Sequence, residues 1–375
     1  MPSEFELIDR FFRDCGARRD DVTLGVGDDG AVLECRPDAQ LVAVIDTLVE
    51  GVHFPPGSAP RSIGHRVLAV NLSDLAAMGA EPAWALLALT LPRVAPAGRA
   101  QDEKPGGRAR DEAPAGRAQD EAPGALPRDE APGGRARDEE PAGCARSWDD
   151  DWLAQFSAGL GDLAAAHGVA LVGGDTTAGP LAATVQALGF VPRGAALTRS
   201  GGRPGDALFV SGTPGDAAAG LMLEQGRLGV ADAEHDSWLR RRFLFPTPRV
   251  ALGMRLRGIA SSCIDVSDGL LGDAAKLAAA GACGAQIAWE QLPVSPALAA
   301  TCGEEGAREL ALTGGEDYEL CFTVPPARAA ELERAVPPAV WGWRRIGVLT
   351  PSREVQVRRG GTVMQLSHRG FDHFG

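Results

Sequence analysis

The chain has 375 residues, 45% of them hydrophobic, and a formal net charge of −13. That length sets two domains as the prior and the composition allows real cores. The negative balance argues against a nucleic-acid groove or an anionic membrane surface, but not against phosphate substrates whose charge is met by metal ions.

Met1 to Ile8 lacks a basic stretch followed by an apolar run, so no signal peptide is expected. No run approaches the ~20 apolar residues that span a bilayer. The cysteines, at 15, 35, 144, 263, 283, 302 and 321, form no CxxC pair. They read as small buried residues of a reducing cytoplasm.

Ser3 and Glu6 have capping-box spacing and predict a short helix carrying Phe5, Ile8 and Phe12. Gly25-Val26-Gly27-Asp28-Asp29-Gly30-Ala31-Val32 follows, two acids in a glycine turn. Such acids suit magnesium, which takes carboxylate and phosphate oxygens together; a solvated acidic turn is the alternative. Leu41 to Ile45 has strand length and ends on Asp46, readable as a metal ligand at a sheet edge or as a cap. His53 lies in the loop beyond, and a lone loop histidine is more often incidental than catalytic.

Arg61 to Met78 predicts a widely apolar helix ended by Gly79. Asn71 and Asp74 share one face of it, for a ligand or for each other. Trp84 to Leu91 predicts a strand.

From Arg93 to Ser147 the character changes. Prolines recur at 96, 105, 114, 123, 132 and 141, a period of nine, with ten basic and eleven acidic residues between Arg93 and Arg146. With almost no large apolar side chains, this insertion (93–147) is expected to be disordered. Trp152 to His167 then predicts a helix. Val169 to Val172 predicts a buried strand entering a glycine turn, Gly173-Gly174-Asp175-Thr176-Thr177, and Leu181 to Val191 a further strand. Ala196 to Gly202 reads as a hinge, in which Arg199 is either a phosphate clamp or an interface ion pair.

The second half predicts a strand at Ala207–Ser211, a helix at Ala217–Gln225 and helical residues from Pro248 to Arg257. Cys263-Ile264-Asp265-Val266-Ser267-Asp268-Gly269 precedes a helix from Leu271 to Ala280. A helix start suits phosphate, although Asp268 also reads as a plain N-cap. Leu312-Thr313-Gly314-Gly315-Glu316-Asp317-Tyr318 is another glycine turn with acids, entering a strand at Leu320–Val324.

Repeated glycine–aspartate turns at strand ends fit multi-magnesium phosphate chemistry. A P-loop is excluded, because the only lysines are Lys104, in the repeats, and Lys276, inside a helix. No GxGxxG opens a helix after a strand, and HExxH, GxSxG and kinase motifs are lacking.

The motifs GVGDDGAV, VIDTLVEGVHF, LAVNLSDLAAMGAEPAW, LVGGDTT, ALTRSGGRPGD, GTPGDAAAGL, IDVSDGL, LTGGEDYELCFTV and GFDHF resemble, in order and over the whole chain except the repeats, the thiamine-monophosphate kinase family of the aminoimidazole-ribonucleotide synthetase-like superfamily. The resemblance implies a two-domain α/β fold. Residues 1–200 would bind ATP and magnesium and pair in a homodimer through a shared sheet barrel, and 201–375 would form a second α/β domain.

It further implies that Asp29, Asp46, Asp74, Asp175, Asp265 and Asp268 bind several Mg2+ ions bridging ATP phosphates, with Val44 and Ile45 touching that cluster. Gly174, Arg199 and Ser267 would contact ATP. His53, Glu316 and Phe371 would contact thiamine monophosphate. The implied reaction is direct in-line phosphoryl transfer without a general base, the last step of thiamine diphosphate biosynthesis. Another ATP-dependent enzyme of the superfamily and a non-catalytic nucleotide-binding module are the alternatives.

Overall fold

The computed structural model describes residues 4–92 and 148–364. The repeats, Ser3 of the expected capping box and Phe371 lie outside the described residues. The first half runs α1 (Glu4–Phe11), β1 (Val22–Leu24), β2 (Val32–Leu33), β3 (Ala39–Val49), α2 (Pro60–Ala77), β4 (Glu81–Leu91), α3 (Asp150–Ala166), β5 (Ala170–Ala178) and β6 (Ala182–Pro192). Four of these strands form a sheet ordered β3-β6-β4-β5, antiparallel except for the β4–β5 pair.

α2 is the element around which this half is built. Pro60 opens it at a position where the missing N–H costs nothing. Gly79 ends it with a positive φ of 66°, which glycine adopts without strain. Its side chains are buried almost all round, as a helix enclosed on every side requires. It packs on β3 and β6, on α3, and on the strand Ser262–Val266 and the helix Val250–Leu256 of the second half. The α2–α3 crossing is close: a Cβ on Gly64 would stand 2.0 Å from the Phe156 carbonyl oxygen, and one on Gly159 2.0 Å from that of Arg61. α3 starts where the Asp149 side chain accepts from the Trp152 N–H at 2.8 Å.

The second half runs β7 (Ala207–Ser211), α4 (Asp216–Glu224), α5 (Ala233–Leu244), α6 (Val250–Leu256), β8 (Ser262–Val266), α7 (Leu270–Ala280), β9 (Gly284–Ala288), α8 (Pro296–Thr313), β10 (Glu319–Val324), α9 (Ala329–Ala335), α10 (Pro338–Trp341), β11 (Trp343–Thr350), β12 (Val355–Arg359) and β13 (Thr362–Val363). Its sheet is ordered β13-β12-β9-β11-β7-β10-β8. One hydrophobic core joins α2, α3 and the small sheet to Phe209, Leu320 and Phe322 of the large one and to Tyr318 just before β10. A second core under α7 covers the other face.

Two differences from the sequence reading matter. Gly173 to Thr177 is not a turn: it continues β5 along the parallel register with β4. Gly174 is required there, because a Cβ would lie 1.8 Å from the Leu87 carbonyl oxygen. Elements the sequence left unassigned, α5, α8 to α10, β9 and β11 to β13, complete the second half. α5 buries only Leu239, Arg242 and Phe243, so its apolar periodicity is faint.

Candidate functional site

β3 and β8 pass beside the C-terminal turns of α2, and that junction gathers acids from both halves. Asp46 projects from β3 toward α2 and shares a hydrogen bond with Asp74. Asp265, buried on β8, accepts from Ser73 Oγ at 2.9 Å. Burial first, and then the neighbouring carboxylates, push Asp46 up to about 6 and Asp74 and Asp265 each to about 7. Arg199, in the 3-10 turn Arg199–Gly201, pulls Asp74 and Asp265 partly back. Arg199 therefore faces the acids.

Asp268 and Glu316 also press on Asp46 electrostatically. Asp268 does not cap α7. Gly269 stands at the N-cap, and Asp273 reaches back to accept from the Ser267 and Asp268 N–H groups at 2.9 and 3.0 Å. Asp273 thus fixes the loop, and Asp268 pairs with Lys276 at 2.6 Å.

Glu316 lies opposite on the β10 approach. Its φ is 72° and that of Tyr318 is 52°, left-handed values that cost a non-glycine residue about 1–3 kcal/mol each. Arg66 of α2 and the Tyr318 hydroxyl both donate to Glu316 Oε2, the latter at 3.0 Å. Arg66 also donates to the His53 carbonyl oxygen at 3.0 Å, and His53 Nδ1 accepts from the Val49 N–H. His53 and Glu316, from opposite halves, thus share one guanidinium.

Other expected residues stand apart. The register runs Asp46–Val185–Leu87–Gly174 across the small sheet, with Asp175 in the next row. Gly174 and Asp175 are therefore three strand spacings from Asp46, roughly 14 Å. The Asp29 turn belongs to that far edge too, since Gly25 approaches Val172 at the start of β5. Val44 packs on the core, while Ile45 points to the opposite face from Asp46 and is 63% exposed.

Among the described residues no three acidic, imidazole or thiolate groups stand close enough to chelate one metal ion. The donor set nonetheless fits magnesium. It consists of hard carboxylate oxygens held together against their own repulsion. Magnesium binds through one or two carboxylates plus phosphate oxygens and water, so it needs no closed protein cage.

Several supporting residues escaped the sequence reading. Arg66 was concealed in the apolar pattern of α2, where a charge is itself a signal. Asp317 is buried and accepts from the Gly215 and Ala217 N–H groups at 2.7 and 3.2 Å, fixing the start of α4. Glu319 is buried between Arg242 and Arg249, which hold its carboxyl below its ordinary range despite burial.

Comparisons with known proteins bear on this arrangement. The family described as AIR synthase related protein, N-terminal domain, matches residues 27–104 and 140–191, and its C-terminal domain matches 203–360. The thiamine-monophosphate kinase of Escherichia coli strain K12 is 42% identical over 373 residues, covering 99% of this chain and 98% of that protein. The crystal structure of the same-named enzyme from Stenotrophomonas maltophilia K279a superposes with a TM-score of 0.72 at 40% identity, covering 91% of this chain and 92% of the other. A structure titled AaThiL complexed with AMPPCP and TMP has a TM-score of 0.68 at 28% identity, covering 93% and 92%. By its length-spanning identity, its two matched domains and its α/β fold, the chain belongs to the thiamine-monophosphate kinase family of AIR synthase related proteins.

Proposed function

We propose that the chain transfers the terminal phosphoryl group of ATP to thiamine monophosphate, giving thiamine diphosphate and ADP. The observation that carries this reading is the meeting of Asp46 and Asp74 with Asp265 from the other half, acids whose ionisation is suppressed by burial and mutual repulsion. The reading also rests on the relatives' name and on the solved relative titled with AMPPCP and TMP. In the division we propose, residues 1–200 supply most acids, and 201–375 supply Asp265, Ser267, Asp268 and Glu316.

The reactants repel each other. Unit charges ~4 Å apart cost roughly 4 kcal/mol at an effective dielectric of 20. Asp46, Asp74, Asp265 and Asp268 would hold Mg2+ ions, which when bound supply the charge neutralisation that lets the two phosphates approach. Arg199 and Ser267 contact ATP, Arg199 through its planar fork. Glu316 and His53 receive thiamine monophosphate, the carboxylate facing the thiazolium cation. The acceptor phosphate oxygen is already ionised, so in-line attack needs no base and positioning does the rest.

The far-edge residues Asp29, Gly174 and Asp175 enter through a homodimer. β3 and β5 are the two edges of the small sheet. Its face turned away from α2 exposes Leu41 (46%) and Ile45 (63%), an apolar surface suited to a barrel interior. A partner's β5 set against β3 would carry its own Asp175 toward Asp46 and complete the acid set between subunits.

The test is incubation with ATP, magnesium and thiamine monophosphate. Thiamine diphosphate with equimolar ADP supports the reading. Binding without ADP identifies a nucleotide-binding module, and ATP turnover only with a different acceptor identifies another enzyme of the superfamily.

A further inference from the structure

We infer that Arg66 is a positioning residue that sets the acceptor side of the site by clamping Glu316 and the His53 loop in one geometry; this rests on the acceptor assigned above. Arg66 is 1% exposed, and its guanidinium lies 4.1 Å from the centre of the Phe243 ring. One amino group binds the His53 carbonyl oxygen at 3.0 Å and the other binds Glu316 Oε2. The rigid planar fork permits both bonds at once, while stacking fixes its plane. Three elements that share no sheet are thereby tied together: α2, the loop after β3 and the approach to β10.

Stability alone is a poor account of this arginine. Its Nε is buried with no hydrogen-bond partner among the described residues, which is costly, and an apolar side chain would fill the same space without that cost. What an apolar residue cannot do is orient a carboxylate. Arg66 and Tyr318 both donate to Oε2, and among the described residues no hydrogen bond reaches Oε1, which is left for the acceptor. The left-handed backbone at Glu316 and Tyr318 has the same consequence: the turn is held in a conformation that local preference would not choose. Arg66 touches no reacting atom in this scheme and acts through Glu316.

The test is steady-state kinetics of the full chain with both substrates varied, for wild type, Arg66→Met, Arg66→Lys, Glu316→Gln and the Arg66→Met/Glu316→Gln double variant. Arg66→Met is expected to raise KM for thiamine monophosphate by about tenfold or more, with KM for ATP within about twofold. Arg66→Lys recovers little of this, because an ammonium on a flexible stem does not reproduce the stacked fork. The double variant is expected to be no worse than its worse parent within about twofold, because both act through one carboxylate. Should Arg66→Met fail to fold, Tyr318→Phe removes only the other donor to Oε2 and is expected to shift the same KM, by a few fold, and not that for ATP.

Additive losses in the double variant, or equal rises in both KM values with a lowered thermal midpoint, would overturn the inference while leaving the kinase reading in place. A wild-type protein that makes no thiamine diphosphate would overturn that reading and this inference with it.

Discussion

At Asp74, burial and the Asp46 carboxylate both disfavour ionisation, and the group titrates near 7 instead of near its ordinary value. The folded protein therefore keeps protons on Asp46, Asp74 and Asp265 that the unfolded chain has released between about pH 4 and 7. Stability from this cluster is greatest below that window and declines as pH rises through it, the reverse of a salt-bridged acid. The thermal midpoint of EDTA-treated protein is expected to fall from pH 5 to pH 8, with a smaller fall in Asp74→Asn. At pH 8 without metal, Asp74→Asn is expected to melt a few degrees higher than wild type, about 2 °C or more. The same variant is expected to lose at least about 100-fold in turnover, a loss typical of removing one electrostatic contact to a reacting centre. Near-normal turnover in Asp74→Asn would remove the acids from the mechanism.

Among the elements, α2 carries the fold and the site together. Its Gly64 meets the Phe156 carbonyl of α3, and Gly159 of α3 meets the Arg61 carbonyl, so closely that either Cβ would collide with backbone, which has no rotamer with which to yield. Gly159→Ala is expected to cost about 1–3 kcal/mol, as overpacking does, and urea unfolding measures it. Because α2 also carries Arg66 and Asp74, the displacement is expected to lower turnover beyond the loss of folded protein. β5 behaves differently. Its start is buried, but from Gly173 it runs partly exposed along the sheet edge, carrying Asp175 about three strand spacings from Asp46.

For the whole molecule, the placement of Asp175 predicts an interface. Asp74→Asn and Asp175→Asn are each expected to be inactive, yet subunits exchanged between them are expected to regain activity. Full exchange in a two-fold dimer leaves about a quarter of the sites intact. No recovery after demonstrated exchange would place each site within one subunit. Deleting residues 96–146 is expected to leave turnover close to wild type, because the nonapeptide repeats carry none of the assigned residues. A large loss would give the repeats a function.

The amino-acid sequence by itself determined which residue types the site would use. Glycine–aspartate pairs, the apolar length of α2 and the short buried strands follow from local chemistry, and local chemistry is written in neighbouring letters. Spacing alone left Asp268 open between a ligand-side acid and an N-cap; the structure gives the cap position to Gly269 and the loop to Asp273, five residues later. One stretch was misread. The run from Gly173 looks like a turn because glycine usually marks one, whereas here it admits the Leu87 carbonyl between parallel strands. Only the tertiary structure decided which acids meet. Asp46 and Asp265 are far apart in sequence and adjacent in space, while Asp46 and Asp175 lie on one sheet and are separated by its width. Proximity across sheets depends on strand order and register, which arise from the packing of the whole chain and not from any single stretch of it.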